Sequence, residues 1–552
     1  MFELTRAMWA ELVAPDVPES FRVRYSHFVL LIDELRLIAE LSTEDSGRWG
    51  PHLKAIQAEL SGSLKVAEQL VPLDSSLKFA VEQLTKEASP WRCLHLSESL
   101  LDNKLQLGVE SINALRAFDS TREKRKLNGL LGLVCTEIMA QGVPDSHIAV
   151  IASRPPTMDA LLTDLSEAIS PRDSDFICYI TLSGNRENLQ AIFTDRSIRP
   201  AVASEGYELT IEQRARSAFD AARRALAEVE RRCNLFTFYR HDQPLRPKHT
   251  VRVAKREDEQ QTVEVNVDHV ERSPLLLRTN ARKLTSNAFA AVREHDLGDR
   301  LWSALEQYTV AQQAADIRPR LIGVWSALET LTGGQEGFSS VYDRVASVVV
   351  PAVVSKRVER IARYFAIRAH EQELHSKLST EERAMFARSG SRSFDAGEAL
   401  TALCGPKDNA RISLLLRHSD ELQRFRLFNT WEEFHDPKVL AGRLRRSNEA
   451  IAQHLRRIYR ARNLIIHNST SYRNLDVLLR HLEEYFSITL SRTLREHVIK
   501  PRIGIDALLT TFDGRMAYLL AALDRGLPLR VGDFIPSAAG ATTQGDTVLF
   551  RG

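Results

Sequence analysis

The sequence predicts a mainly α-helical protein with a central α/β or α+β region and a C-terminal helical bundle. Three observations predict it. Apolar residues recur at three- and four-residue spacing over both ends of the chain. Between those ends, short β-prone runs alternate with period two, as in "HTVRVAKRE" and "QTVEVNVDHV". The composition is that of an ordinary globular chain, 43% apolar and 26% charged over 552 residues, with apolar mass for several cores.

Residues 1–140 read as a helical N-terminal region of unknown function, with helices in "FVLLIDELRLIAEL" and "HLKAIQAELSGSLKVAEQL". "VPDS" at 143–146 is a break. Residues 141–279 read as a mixed region and a candidate sensor or regulatory domain. There the strands "HIAVIAS" and "DFICYITLSG" flank the helix "MDALLTDLSEAI", and "LQAIFTD" adds a strand. A long helix is expected from about 210 to 233, followed by strands in "NLFTFYRH", "HTVRVAKRE" and "QTVEVNVDHV". Residues 280–500 return to helix. The run "RLWSALEQYTVAQQAADIRPRLIGVWSALETLTGG" ends on two glycines, a helix stop. Further helical runs cover 341–368, 380–388, 396–404, 410–428, 438–467 and 474–498. Residues 501–552 are a C-terminal extension whose "SAAGATTQGD" reads as a loose tail.

Bulk properties exclude several classes. The net charge of +2 implies no particular partner. Five widely spaced cysteines (Cys93, Cys135, Cys178, Cys233 and Cys404), none in a C-x-x-C pair, argue against a disulfide framework or zinc ribbon. No apolar run approaches the ~20 residues of a membrane span, and "MFELTRAMWAELVAPDVPES" has no signal-peptide h-region. A cytoplasmic protein with no membrane partner is expected. "HEQELH" at 370–375 places its histidines five apart, so on a helix they diverge by about 140° and do not share a metal. The chain lacks a phosphate-binding G-x-x-x-x-G-K-[ST] loop and a G-x-S-x-G elbow. No metal and no cofactor is expected.

One stretch stands apart, "IYRARNLIIHNST" at 458–470. Its helix carries Ile451, Leu455, Ile458 and Ile465 on one stripe, and Arg462 falls on the same stripe. A guanidinium there keeps its charge and needs an anionic partner. His467 ends the run, where the helix dipole favours its protonated form and its ordinary pKa near 6.5 suits proton transfer. The same Arg-x4-His spacing recurs at Arg22…His27 and Arg492…His497. Only the 462–467 copy has Asn463 after the arginine and three aliphatic residues between. From 438 to 500, thirteen Lys and Arg face five Asp and Glu, a local excess of eight positive charges. That is the footprint expected of a nucleic-acid site, though a solvated helix face accounts for any one arginine.

"YRARNLIIHNS" resembles the signature of the HEPN superfamily, most often written R-N-x-x-x-H. Upstream, "LIGVWSALETL" at 321–331 resembles the early helix of HEPN domains related to the Apea-type abortive-infection proteins. The matching residues are Trp325, Ala327, Leu328 and Glu329, then Tyr459, Arg462, Asn463 and His467. The match spans about 285–500, and departs from the family in Asn468, where glycine is frequent. It implies a HEPN-like helical domain over 280–500 and a metal-independent endoribonuclease, toxin-like, in prokaryotic antiviral defence by abortive infection. RNA supplies its own nucleophile, the 2′-hydroxyl. His467 would serve as base or acid, Arg462 would clamp the phosphate and Asn463 would orient it. Glu329 is the expected partner of Arg462, with Tyr459 in support. One histidine per chain and two proton transfers imply a homodimer or higher even oligomer through this domain. A regulatory or phage-derived partner is a further expectation. Two alternatives stand beside this reading. One is a non-catalytic HEPN RNA-binding or assembly module. The other is the toxin half of a HEPN/nucleotidyltransferase toxin–antitoxin pair, although this chain carries no transferase motif.

Overall fold

The computed structural model describes residues 2–529 and Phe534, apart from 268–297 and shorter stretches between elements, of which 22–27, 240–245, 386–393 and 469–474 are the longest. The chain is mainly helical with one small antiparallel sheet, and it divides into two compact units. The first comprises residues 1–14 and 23–270, the second residues 15–22 and 271–552. The helical stretch and the mixed stretch that the sequence separates near residue 140 thus fall in one unit.

In the first unit the described helices before the sheet include α1 (Phe2–Val13), α2 (Phe28–Glu44), α3 (Ser46–Leu70), α4 (Ser75–Lys86), α5 (Pro90–Asp102), α6 (Leu107–Arg116), α7 (Lys124–Ala140) and α8 (Met158–Ile169). There follow β1 (Ser174–Ser183), α9 (Arg186–Ile192), β2 (Ser197–Pro200), β3 (Tyr207–Ala215), α10 (Ala218–Tyr239), β4 (Arg246–Lys255) and β5 (Asp258–Asn266). The strand order is β2-β3-β1-β4-β5, and every neighbouring pair is antiparallel. The first four strands with their two helices make a β-α-β-β-α-β unit of the split βαβ type. Register follows from period two. Cys178 lies between Ile211 and Val253, and Ile180 between Leu209 and Val251. That row is buried against Ala222, Ala225, Leu226 and Val229 of α10.

Four local expectations are overturned here. "LQAIFTD" is no strand, because α9 puts Leu189 and Phe193 four apart on the core side. The expected helix from 210 starts only at Ala218, because Leu209, Ile211 and Ala215 alternate on a strand instead. "NLFTFYRH" does not open a strand, since α10 runs on to Tyr239, with Val229, Cys233 and Phe236 continuing the helical stripe. In "HIAVIAS" the described residues Ile148, Ala149 and Ile151 are helical.

The second unit is a helical bundle of α11 (Gly298–Gln313), α12 (Ile317–Leu331), α13 (Val341–Glu371), α14 (Leu374–Lys377), α15 (Thr380–Ala384), α16 (Ala396–Leu403), α17 (Ala410–His418), α18 (Glu421–Phe434), α19 (Pro437–Asn468), α20 (Leu475–Ile499) and α21 (Ile505–Asp524). Caps set the breaks that apolar spacing alone does not reveal. Asp316 accepts from the Arg318 N–H and splits the run 298–331 in two. Asp420 accepts from the Gln423 N–H and splits 410–428. After α12 the chain turns through Gly334 at φ +79°, a left-handed conformation that favours glycine. His370 closes α13, Glu373 takes φ 52°, and His375 lies in the next helix. The helix α20 is central. Leu482, Glu483, Glu484, Tyr485 and Phe486 are all buried, so this turn is covered on every side, and α20 as a whole packs against α12, α13, α19 and α21. Among the described residues no helix is long and apolar enough to cross a membrane. The tail "SAAGATTQGD" lies outside the described residues.

Candidate functional site

The arginine–asparagine–histidine motif sits in the last two turns of α19, the 32-residue helix Pro437–Asn468. α19 packs against α12, α13, α18, α20 and α21, so it is wrapped rather than laid on a surface. Leu440, Ala441, Leu444, Ile451, Leu455, Ile458, Ala461, Leu464 and Ile465 are its buried apolar positions among the described residues. Because neighbours stand on both sides, two arginines opposite that stripe are buried as well, Arg457 and the fully enclosed Arg460.

Arg462 is half-buried. Its Nη1 donates to Asn463 Oδ1 at 3.0 Å, while its Nε is buried with no partner. An arginine has only donors, so this bond fixes which end of the Asn463 amide faces it. The carbonyl is taken up and the NH2 group is left over. Arg462 and Asn463 together therefore present mostly donors, a set suited to an oxyanion. His467 is helical, one residue from the end of α19, and its side chain lies outside the described residues.

The upstream segment is brought to this helix. Trp325 of α12 is fully buried, and its ring centroid lies 5.3 Å from that of Tyr459, one turn before Arg462. Tyr459 also meets Tyr342 at 6.0 Å. The expected Glu329–Arg462 ion pair is not formed. Glu329 accepts from Trp325 Nε1 at 2.5 Å within its own helix, a four-residue step that needs no second element. Part of the basic excess is engaged by neighbouring residues. Arg443 pairs with Glu433 and Arg445 with Asp524, and Arg492 lies over the Phe512 ring at 5.0 Å.

Sequence reasoning missed a second polar group inside the bundle. His454 Nδ1 lies 3.0 Å from the Tyr485 hydroxyl, and its ring meets that of His481 edge-on at 4.8 Å. His481 Nδ1 lies 3.9 Å from Glu484, which also pairs with Arg360. The signal was available, since His454 falls three residues after Ile451, beside the apolar stripe, and His481 and Tyr485 are four apart. Burial, then Arg457 and Arg357, pushes the His454 pKa down to about 3, with Glu484 opposing. His454 is thus neutral at neutral pH.

No known family model matches this chain, and no curated protein and no solved structure matches it.

Two outcomes follow for this site. Glu329→Ala strands the enclosed Trp325 N–H and should cost about 1–3 kcal/mol, whereas Glu329→Gln keeps an acceptor and should cost less. Hydrogen exchange across α12 in the two variants checks the ranking. The second outcome concerns acid. A histidine with a folded pKa below its ordinary 6.5 contributes stability that is present above pH 6.5 and is lost as pH falls toward 3. Between pH 6.5 and 5 the wild type should lose about 2 kcal/mol more than His454→Gln, read from denaturant midpoints at each pH.

Proposed function

We propose that the C-terminal unit is a metal-independent endoribonuclease of the HEPN type, acting as a toxin-like effector in antiviral defence. One observation carries the reading. Arg462 Nη1 donates to Asn463 Oδ1, which leaves the other guanidinium N–H groups and the Asn463 NH2 group as donors, with a buried Arg462 Nε still lacking an acceptor. A phosphodiester oxygen is the acceptor such a group lacks. Support also comes from the tilted ring contact of Trp325 with Tyr459, which joins the two segments that resemble the family.

In this reading the 2′-hydroxyl of RNA attacks the adjacent phosphorus and the 5′-oxygen leaves. His467, at the helix end, takes or gives the proton, and Arg462 holds the charge building on the phosphoryl oxygens. A second histidine comes from a second copy of the chain, with two motifs facing one cleft. The defence role rests on the resemblance.

His467→Ala and Arg462→Ala should each abolish RNA cleavage, while His95→Ala, on an exposed helix face in the other unit, should not. Cleavage should survive EDTA and leave 2′,3′-cyclic phosphate ends, and DNA, which lacks the hydroxyl, should stay intact. Gel-based cleavage with end-group analysis reads all of these. His467→Ala cutting as well as the wild type would sink the nuclease reading in favour of a binding module. Light scattering should give a dimer or a higher even oligomer, and a monomer that cleaves RNA would exclude the shared site.

A further inference from the structure

One copy of the Arg-x4-His spacing, Arg492…His497, lies in α20 and has no part in the site above. Its surroundings come from three helices of the C-terminal unit that pack on one another, α13, α20 and α21. Each presents charged residues at three- and four-residue spacing, which sets them on one face. α13 supplies Lys356, Glu359 and Arg363, α20 supplies Arg492, Arg495 and Glu496, and α21 supplies Arg515. Lys356 and Arg363 both pair with Glu359, at 2.9 and 2.7 Å. Arg515 pairs with Glu496, and Arg495 lies in the field of both carboxylates. The Arg492 guanidinium lies over the Phe512 ring of α21, 5.0 Å from the centroid. Among the described residues it has no carboxylate at ion-pair distance.

Five cations thus share two buried carboxylates, and each carboxylate is already paired. Burial raises the Glu359 carboxyl, yet Lys356, Arg363 and Arg495 outweigh it and hold it below the usual carboxylate range. The balance at Arg492 is the opposite. Burial, joined by Arg515 and Arg495, pushes it down to about 10 against the pull of Glu496. It still carries its charge at neutral pH. A half-buried guanidinium crowded by like charges is a cost that an anion removes. A ring face accepts no bidentate bond, so the Arg492 fork that grips two oxygens at once stays unused among the described residues. Solvent reaches the cluster, since the Arg363 and Arg515 side chains are 29% and 40% exposed.

We propose that the seam of α13, α20 and α21 is a binding site for a phosphate-type oxyanion, held by Arg492 with Arg495 and Arg515 beside it. The site is separate from the Arg462–Asn463 pair. His454 of α19 meets Tyr485 of α20, on helices joined by six residues and hence antiparallel. Arg462 lies eight residues beyond His454 and Arg492 seven beyond Tyr485, in opposite directions. At ~1.5 Å per residue, about 20 Å of helix stands between them. The inference does not depend on what chemistry α19 carries. Phosphate on a free small molecule and phosphate in an RNA strand offer the same oxygens to this seam.

Titration calorimetry with pyrophosphate on the full-length chain tests it, in buffer free of phosphate and sulfate. The wild type should bind, and Arg492→Met, which keeps an unbranched stem over Phe512, should weaken binding about tenfold. Arg462→Ala removes the other arginine site and should still bind, and adding Arg492→Met to it should again cost about tenfold. Without ligand, Arg492→Met should melt at or above the wild-type temperature, because a crowded charge is gone. If that variant does not fold, Arg492→Lys replaces it, keeping the charge and losing the fork, and should also weaken binding. A short single-stranded RNA added to the pyrophosphate complex separates the two sources. Displacement assigns the seam to RNA phosphates, and undisturbed binding assigns it to a free phosphorylated molecule. The site is refuted if pyrophosphate does not bind the wild type, or if the Arg492 variant binds it with unchanged affinity. It is refuted equally if Arg462→Ala alone abolishes binding, since the anion would then sit at the α19 motif.

Discussion

The acids of α20 hold the C-terminal bundle in register. Glu483, fully enclosed, is bonded by Arg320 of α12 at 2.7 Å and by Gln312 of α11 at 2.7 Å. Glu484 pairs with Arg360 of α13, and Glu496 pairs with Arg515 of α21. Each pair draws a different helix onto the same central rod. Two charges taken out of water gain little over an apolar packing of equal volume, but a lone survivor costs about 3–5 kcal/mol. The pairs therefore select one arrangement of helices over its neighbours more than they add stability. α19 sits among those helices, so the position of Arg462 is inherited from them.

The helical ends and three of the strands were legible because they follow from side-chain period alone. "DFICYITLS", "HTVRVAKRE" and "QTVEVNVDHV" alternate and become β1, β4 and β5. The misreadings have one cause. Aromatic and β-branched residues suggested strands in "LQAIFTD" and "NLFTFYRH", but Leu189, Phe193 and Phe236 pack at helical spacing on the core of the sheet. β3 was hidden for the complementary reason, since charged residues fill its outer face while only Leu209, Ile211 and Ala215 mark the inner one.

At the site, the sequence picked out Arg462 and Asn463 on one helix, and the resemblance named both Trp325 and Tyr459, whose rings the structure brings within 5.3 Å of each other. It misjudged what is buried. A single amphipathic stripe presumes one wet face, and α19 has neighbours on two, so Arg460 rather than Arg462 is the enclosed arginine. Charge counting overstates the local excess by two, because Glu433 and Asp524, partners of Arg443 and Arg445, lie outside the counted window. The bond from Glu329 to Trp325 is a four-residue step that the sequence spells out, and a longer-range partner was sought instead.

The burial of Phe21 in the C-terminal unit also has a consequence for biogenesis. Phe21 leaves the ribosome early, but Tyr364, Phe365 and Arg426, which meet its ring, follow some 340–400 residues later. At about 5–20 residues per second, its cleft does not exist for roughly the first 20–80 s after the ring emerges. An apolar Val17 and Phe21 must wait through that interval while the chain around them is already able to collapse. Completion of the C-terminal bundle is the event that buries Phe21, so this unit closes around a residue made long before most of its own helices.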